Sequence, residues 1–115
     1  MNEPFMAALA SGGPDPGHVR GLTLYGWLVG AWRFDATVHL PDGQLHHGQG
    51  NIAAGWVLGG RAIQDVWNLP GIFHGTTLRV FDPSRDAWHI LWSDTLEFPR
   101  YHRRQLYVAR RDLQR

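Results

Sequence analysis

The stretch "WVLGGRAIQDVW", residues 56–67, sets a Gly-Gly pair between two runs of strand-forming residues. Such a pair between alternating runs is the signature of a tight β-hairpin. With Gly59 and Gly60 at the turn, Trp56, Leu58, Arg61, Ile63, Asp65 and Trp67 share one face, because successive strand residues point to opposite sides. That face joins two tryptophans to an arginine and an aspartate. A solvated face needs no tryptophan, and an ordinary core tolerates no unpaired charge. A ligand cavity, mostly apolar with a few polar handles, accommodates both.

The alternation continues on either side of this hairpin. In "RFDATVHL" (33–40), Phe34, Ala36, Val38 and Leu40 fall on one side and Arg33, Asp35, Thr37 and His39 on the other. "PDGQ" (41–44) follows, and Asp-Gly between alternating runs is again a hairpin signal. With Asp42 and Gly43 central, Leu40 faces Leu45, His39 faces His46 and Val38 faces His47. Leu45, His47 and Gln49 then join the apolar side. "NLPGIFHG" (68–75) reads as a loop and "TTLRVFD" (76–82) as a strand. "DPSRDA" (82–87) is a turn, and "WHILWSD" (88–94) brings Trp88, Ile90 and Trp92 to one face. "YHRRQLYVARR" (101–111) is a candidate last strand.

Toward the N-terminus, Asp15 as a cap, Pro16 and a terminating Gly30 bound one short helix, with Val19, Leu22, Tyr25 and Val29 as its apolar stripe. Residues 1–14 are rich in Gly, Pro, Ala and Ser and read as a flexible leader. The expectation is a single all-β domain over 15–115: an antiparallel meander of six or seven strands after one short helix. To bury one face it curls into a partial or open barrel, or packs as a sandwich; the barrel is the preferred reading, and one of this size can hold a small ligand.

Composition agrees with a β fold and narrows the setting. The 115 residues include 14 glycines and six tryptophans, and 43% are hydrophobic. No cysteine is present, which excludes disulfides and thiolate metal sites. The N-terminal segment lacks the basic and apolar regions of a signal peptide, and no run is long enough for a membrane span. A cytoplasmic protein without membrane association is therefore expected. Net charge is +1, unevenly placed: residues 1–99 carry five arginines against nine acids, and residues 100–115 carry six arginines against Asp112. A basic end attracts anions. An arginine-rich edge strand that resists edge-to-edge pairing is the preferred explanation, and no nucleic-acid motif supports a nucleic-acid partner.

The candidate site follows from the faces. Arg61, Asp65, His47 and Gln49 are the polar handles, and Phe34, Trp56, Trp67, Trp88 and Trp92 the walls and stacking surfaces. Arg61 and Asp65 lie roughly 13 Å apart along one strand and cannot pair with each other. Arg61 would hold an anion by its planar fork. In the alternative, Arg61 sits in water at the hairpin mouth and Asp65 pairs across strands with Arg79 or Arg33. His39 and His46, face to face, would need a third ligand to hold zinc, so no metal is expected. No nucleophile elbow, phosphate loop or dinucleotide fingerprint occurs, and no catalytic residue is assigned. A His47–Asp65 acid/base pair is the one arrangement that an isomerase or hydrolase could use.

Taken together, "GAWRFDATVHLPDGQLHHGQGN", "GWVLGGRAIQDVW" and "GTTLRVFDPSRDAWHILW" resemble an uncharacterised bacterial family of lipocalin-like, or calycin, barrels, over about Gly26 to Asp94. The resemblance implies a small β-barrel with an internal cavity for an apolar or amphipathic small molecule, similar in shape to fatty-acid-binding proteins and nitrobindins. It implies no reaction. Nitrobindins hold haem through a late-strand histidine, a region without an equivalent here, so no cofactor is expected. Relatives continue for several strands beyond the one resembling "YHRRQLYVARR". A chain ending at Arg115 would leave an open sheet edge, and a homodimer through that edge strand is one expected consequence.

Overall fold

A computed structural model of the chain describes residues 3–39 and 42–96, together with the backbone of Gln105–Arg110. The elements run α1 (Glu3–Leu9), a 3-10 turn (Pro16–His18), α2 (Val19–Gly26), β1 (Gly30–His39), β2 (Leu45–Val57), β3 (Ala62–Leu69), β4 (Phe73–Asp82), β5 (Ala87–Asp94) and β6 (Gln105–Arg110). All six strands form one antiparallel sheet in sequence order, and β1 does not join β6. The meander is therefore an open sheet, the partial-barrel form of the expected fold. The arginine-rich end, apart from the β6 backbone, lies outside the described residues, as do Leu40 and Pro41.

The leader is more structured than its composition suggests. Residues "EPFMAAL" form α1, and the segment after it is tied to β2 and to the β2–β3 loop by two backbone bonds. Ser11 N donates to Trp56 O at 3.0 Å, and Asp15 N donates to Gly60 O at 3.0 Å. Gly60 has φ +84, and a Cβ there would run into Gly13 O and Asp15 N, so this crossing needs glycine on both conformational and steric grounds. The single helix expected between Asp15 and Gly30 is instead a 3-10 turn leading into α2. Asp15 caps the turn by accepting from Gly17 N at 3.2 Å.

The opening hairpin keeps its expected register with a longer loop. Trp56 pairs with Ile63, Ala54 with Asp65 and Ile52 with Trp67, so Trp56, Ile63, Asp65 and Trp67 do share a face. Leu58 to Arg61 form the connection, with Leu58, Gly59 and Gly60 all at positive φ. Leu58 and Arg61 accordingly leave the strand face, which corrects the two-residue turn. The loop at 68–75 is also shorter than expected. Leu69 already pairs with Phe73, and Pro70-Gly71 makes the turn, closed by Ile72 N to Leu69 O at 3.0 Å.

In the first hairpin the register differs by one residue, which reverses every side chain of β2 relative to β1. Here His39 pairs with Leu45, Val38 with His46, Thr37 with His47, Asp35 with Gln49 and Phe34 with Gly50. The cause lies on the inner face, the one α2 covers. The Phe34 ring occupies the space where a Cβ on Gly50 would sit. A one-residue slip would put Asn51 there and turn polar side chains inward. His39 and His46 consequently point to opposite faces, and the expected histidine pair does not form.

The core lies where α2 crosses the inner face. Leu22, Tyr25, Ile63, Phe81 and Trp88 form it, with Trp56 and Ile90 packed alongside. Gly21 is an apparent flaw in α2, costing roughly 0.5–1 kcal/mol of helix propensity. The Phe81 ring fills its missing side chain, so the glycine lets helix and sheet approach closely. Trp88 meets Tyr25 edge-on at 5.0 Å and Phe81 at 5.5 Å between ring centroids.

The β4–β5 turn carries the most perturbed carboxylate. Asp82 accepts from Ser84 Oγ at 2.6 Å and Ser84 N at 3.1 Å, and its other oxygen lies 3.0 Å from His89 Nε2. The Ser84 hydroxyl, then His89, hold its pKa down at about 2 against an ordinary 3.8. A depressed pKa contributes stability that is complete above the ordinary value and disappears as pH falls through the folded one. Asp82→Asn should therefore be less stable than the wild type near pH 6, with the gap closing toward pH 2. Urea midpoints measured across that range check it, and a gap that stays constant would dissociate the turn from the acid response.

Candidate binding groove and aromatic face

On the inner face Asp65 is the one polar candidate, and neighbouring residues take up its carboxylate. Asp65 is 3% exposed. It accepts from Trp67 Nε1 at 2.8 Å and Thr77 N at 3.1 Å, and forms an ion pair with Arg79 Nη1. Arg79 in turn lies over the Tyr25 ring, 5.2 Å from its centroid. Burial raises the Tyr25 pKa, and the Arg79 charge partly opposes the rise. Asp65 thus has its full set of partners inside the protein, in the cross-strand pairing with Arg79 that was the alternative reading. It is no free handle for a ligand.

Arg61 lies outside the sheet face, in the β2–β3 loop. Its Nη2 donates to Phe81 O at 3.4 Å and its Nη1 lies 4.0 Å from Asp15 Oδ2. Asp15 also bonds His18 Nδ1 at 2.8 Å, and that bond, with Gly17 N, lowers its pKa. Arg61 therefore fastens the loop to β4 and the 3-10 turn. His47 and Gln49 are on the outer face, as the β1–β2 register requires, and His47 Nδ1 bonds Thr37 Oγ1 at 2.9 Å. His47 and Asp65 stand on opposite sides of the sheet, so the acid/base pair does not assemble. Trp88 is fully buried and belongs to the core, with no surface to offer a ligand.

Trp56 packs beside the core, while Phe34, Trp67, Trp92 and Phe73 form a row on the inner face away from it. Phe34 meets Trp67 at 5.1 Å, Trp67 meets Trp92 at 6.0 Å, and Trp92 meets Phe73 at 6.2 Å between centroids. Two glycines set this row. Phe34 lies over Gly50, and Trp92 lies over Gly75. Trp92 Nε1 donates to Asp94 Oδ2 at 2.7 Å, so both half-buried indoles of the row have carboxylate partners. Sequence alone does not mark Phe73, which falls in a stretch that reads as a loop. His46, also on this face, was missed through the register error.

The open space lies elsewhere. A groove of about 570 Å³ runs between α1 and the sheet, lined by Phe5, Met6, Leu9, Val29, Ala53, Trp56 and Val66, among others. Phe5 and Met6 are each 60% exposed and Val66 is 51% exposed. A smaller apolar cleft of about 230 Å³ on the other side of Trp56 is bounded by Val19, Leu22 and Trp27. Nothing in the sequence marked the groove, because the leader that forms one wall reads as unstructured. Among the described residues no group of His, Cys, Asp or Glu could hold a metal ion, and no helix is long and apolar enough to cross a membrane. Comparison with family models, curated proteins and solved structures produced no match.

Proposed function

We propose that this chain binds an apolar or amphipathic small molecule in the groove beneath α1. The observation that carries this reading is the groove's volume of about 570 Å³ with an apolar lining, within the range of roughly 300–1,000 Å³ typical of small-molecule sites. The exposed Phe5, Met6 and Val66 would be covered by such a ligand, and covering exposed apolar surface supplies the driving force. The lipocalin-like resemblance supports the same role, and the composition supports a cytoplasmic setting. A second reading, in which a flat ligand stacks on the aromatic row, is favoured by the half-buried rings of Trp67 and Trp92.

The two are separated by fluorescence titration with 8-anilinonaphthalene-1-sulfonate, alongside native mass spectrometry of protein taken directly from cells. Val66→Arg puts a charged side chain into the groove from an exposed position and should weaken probe binding at least tenfold. Trp92→Ala should leave binding within twofold. The reverse pattern would move the site to the aromatic row, and a probe that does not bind the wild type would remove both readings.

A further inference from the structure

β1 is an edge strand of the sheet. It pairs along all ten residues with β2 on one side, has no bulge or proline, and no strand among the described residues pairs with its other side. Long regular edges of this kind are templates for another strand. Its outer-face residues include Arg33 and Asp35, both exposed and without a hydrogen bond or ion pair among the described residues. Trp32 is 43% exposed, Trp27 is 65% exposed, and the two pack on each other at one end of the strand.

We propose that two copies of this chain pair along their β1 edges, antiparallel about a two-fold axis at Phe34, so that Arg33 of each copy faces the partner's Asp35. Symmetry restricts the register, and charge favours one of the positions it allows. A two-fold axis perpendicular to the sheet keeps inner face beside inner face, so the axis must fall at a residue. At Arg33 it opposes two arginines, and at Asp35 it opposes two aspartates. Both are unfavourable, because like charges directly opposite each other destabilise a ladder. At Phe34 it creates two opposite-charge pairs on the outer face. On the inner face it sets Trp32 against the partner's Ala36, large against small, and Phe34 against the partner's Phe34. The ladder then runs from Gly30, opposite the partner's Val38, and the partner's strand ends beside Trp27 and Trp32. This pairing does not depend on ligand binding. It joins the two aromatic rows through Phe34 into one continuous strip.

The test is charge exchange read by size-exclusion chromatography with light scattering. The wild type should be a dimer at tens of micromolar. Arg33→Glu and Asp35→Arg should each weaken dimerisation at least tenfold, since each turns two attractions into two repulsions. The combined Arg33→Glu/Asp35→Arg variant should recover the wild-type dimer, because the pairs re-form with signs exchanged. A wild type monomeric to 1 mM would overturn the proposal. So would dimers indifferent to the single reversals, or a combined variant that stays monomeric. If a reversal impairs folding, hydrogen exchange of the wild type decides. Protection of the alternate amides within 31–37 that point away from β2 should rise with protein concentration, and protection that is independent of concentration excludes the β1 interface.

Discussion

Replacing Asp65 by alanine should lower the stability of the fold by about 3–5 kcal/mol, the usual cost of removing one partner of a buried ion pair. Three donors lose their acceptor at once: the Trp67 indole, the Thr77 amide and the Arg79 guanidinium. Arg79 is the costly one. Its side chain is 17% exposed and is held between Asp65 and the Tyr25 ring, with little water to replace the carboxylate. Since whole domains of this size are stable by about 5–15 kcal/mol, the variant should approach its unfolding threshold. The informative comparison is Asp65→Leu with Arg79→Met, which strands no charge and should recover most of the loss. Urea denaturation of the three proteins measures this. A single variant within 1 kcal/mol of the wild type would show that water replaces the carboxylate at the donors left behind.

Trp88→Ala should cost a similar amount, about 3–5 kcal/mol, for a different reason. The side chain is fully buried where α2, β4 and β5 meet, against Tyr25 and Phe81. Truncation leaves a cavity that the rings on either side cannot close without leaving their own contacts. Trp88→Phe should lose less than half as much. It keeps most of the ring volume and removes the indole N–H, which is buried without a hydrogen-bond partner. Denaturation midpoints with an unchanged dependence on urea would support this reading. Equal losses in the two variants would mean that shape at this position, and not volume, dominates.

Legibility from sequence varied with how strongly a local signal agreed with the packing. The β2–β3 register was readable because alternation on both strands and the Gly-Gly loop all require Trp56 opposite Ile63. The α2 stripe was readable through Leu22 and Tyr25, both of which are buried. The first hairpin was not. Its Asp-Gly pair signals a turn but not how many residues the turn spans, and Asp42 instead closes a small loop by accepting from Gln44 N at 2.9 Å. What selects the register is Phe34 over Gly50, a long-range fit that no local rule expresses. That single slip carried His47 and Gln49 to the wrong side. The charges on the tryptophan face were a sound signal with two readings, and Asp65 resolved into an internal pair with Arg79. The groove was illegible for a simpler reason: α1 has only seven residues in a Gly-, Pro- and Ala-rich segment, too few for Phe5, Met6 and Leu9 to establish a helical period.

The sequence-ordered sheet also bears on how the chain is made. Each strand pairs with the one synthesised just before it, so no early strand must wait for a distant partner, a topology associated with rapid folding. The helix breaks this rule. Leu22 and Tyr25 leave the ribosome long before Phe81 and Trp88, the surfaces that cover them. Ile63 of β3 can meet the helix earlier, but the surface that buries α2 is complete only once β5 has been made.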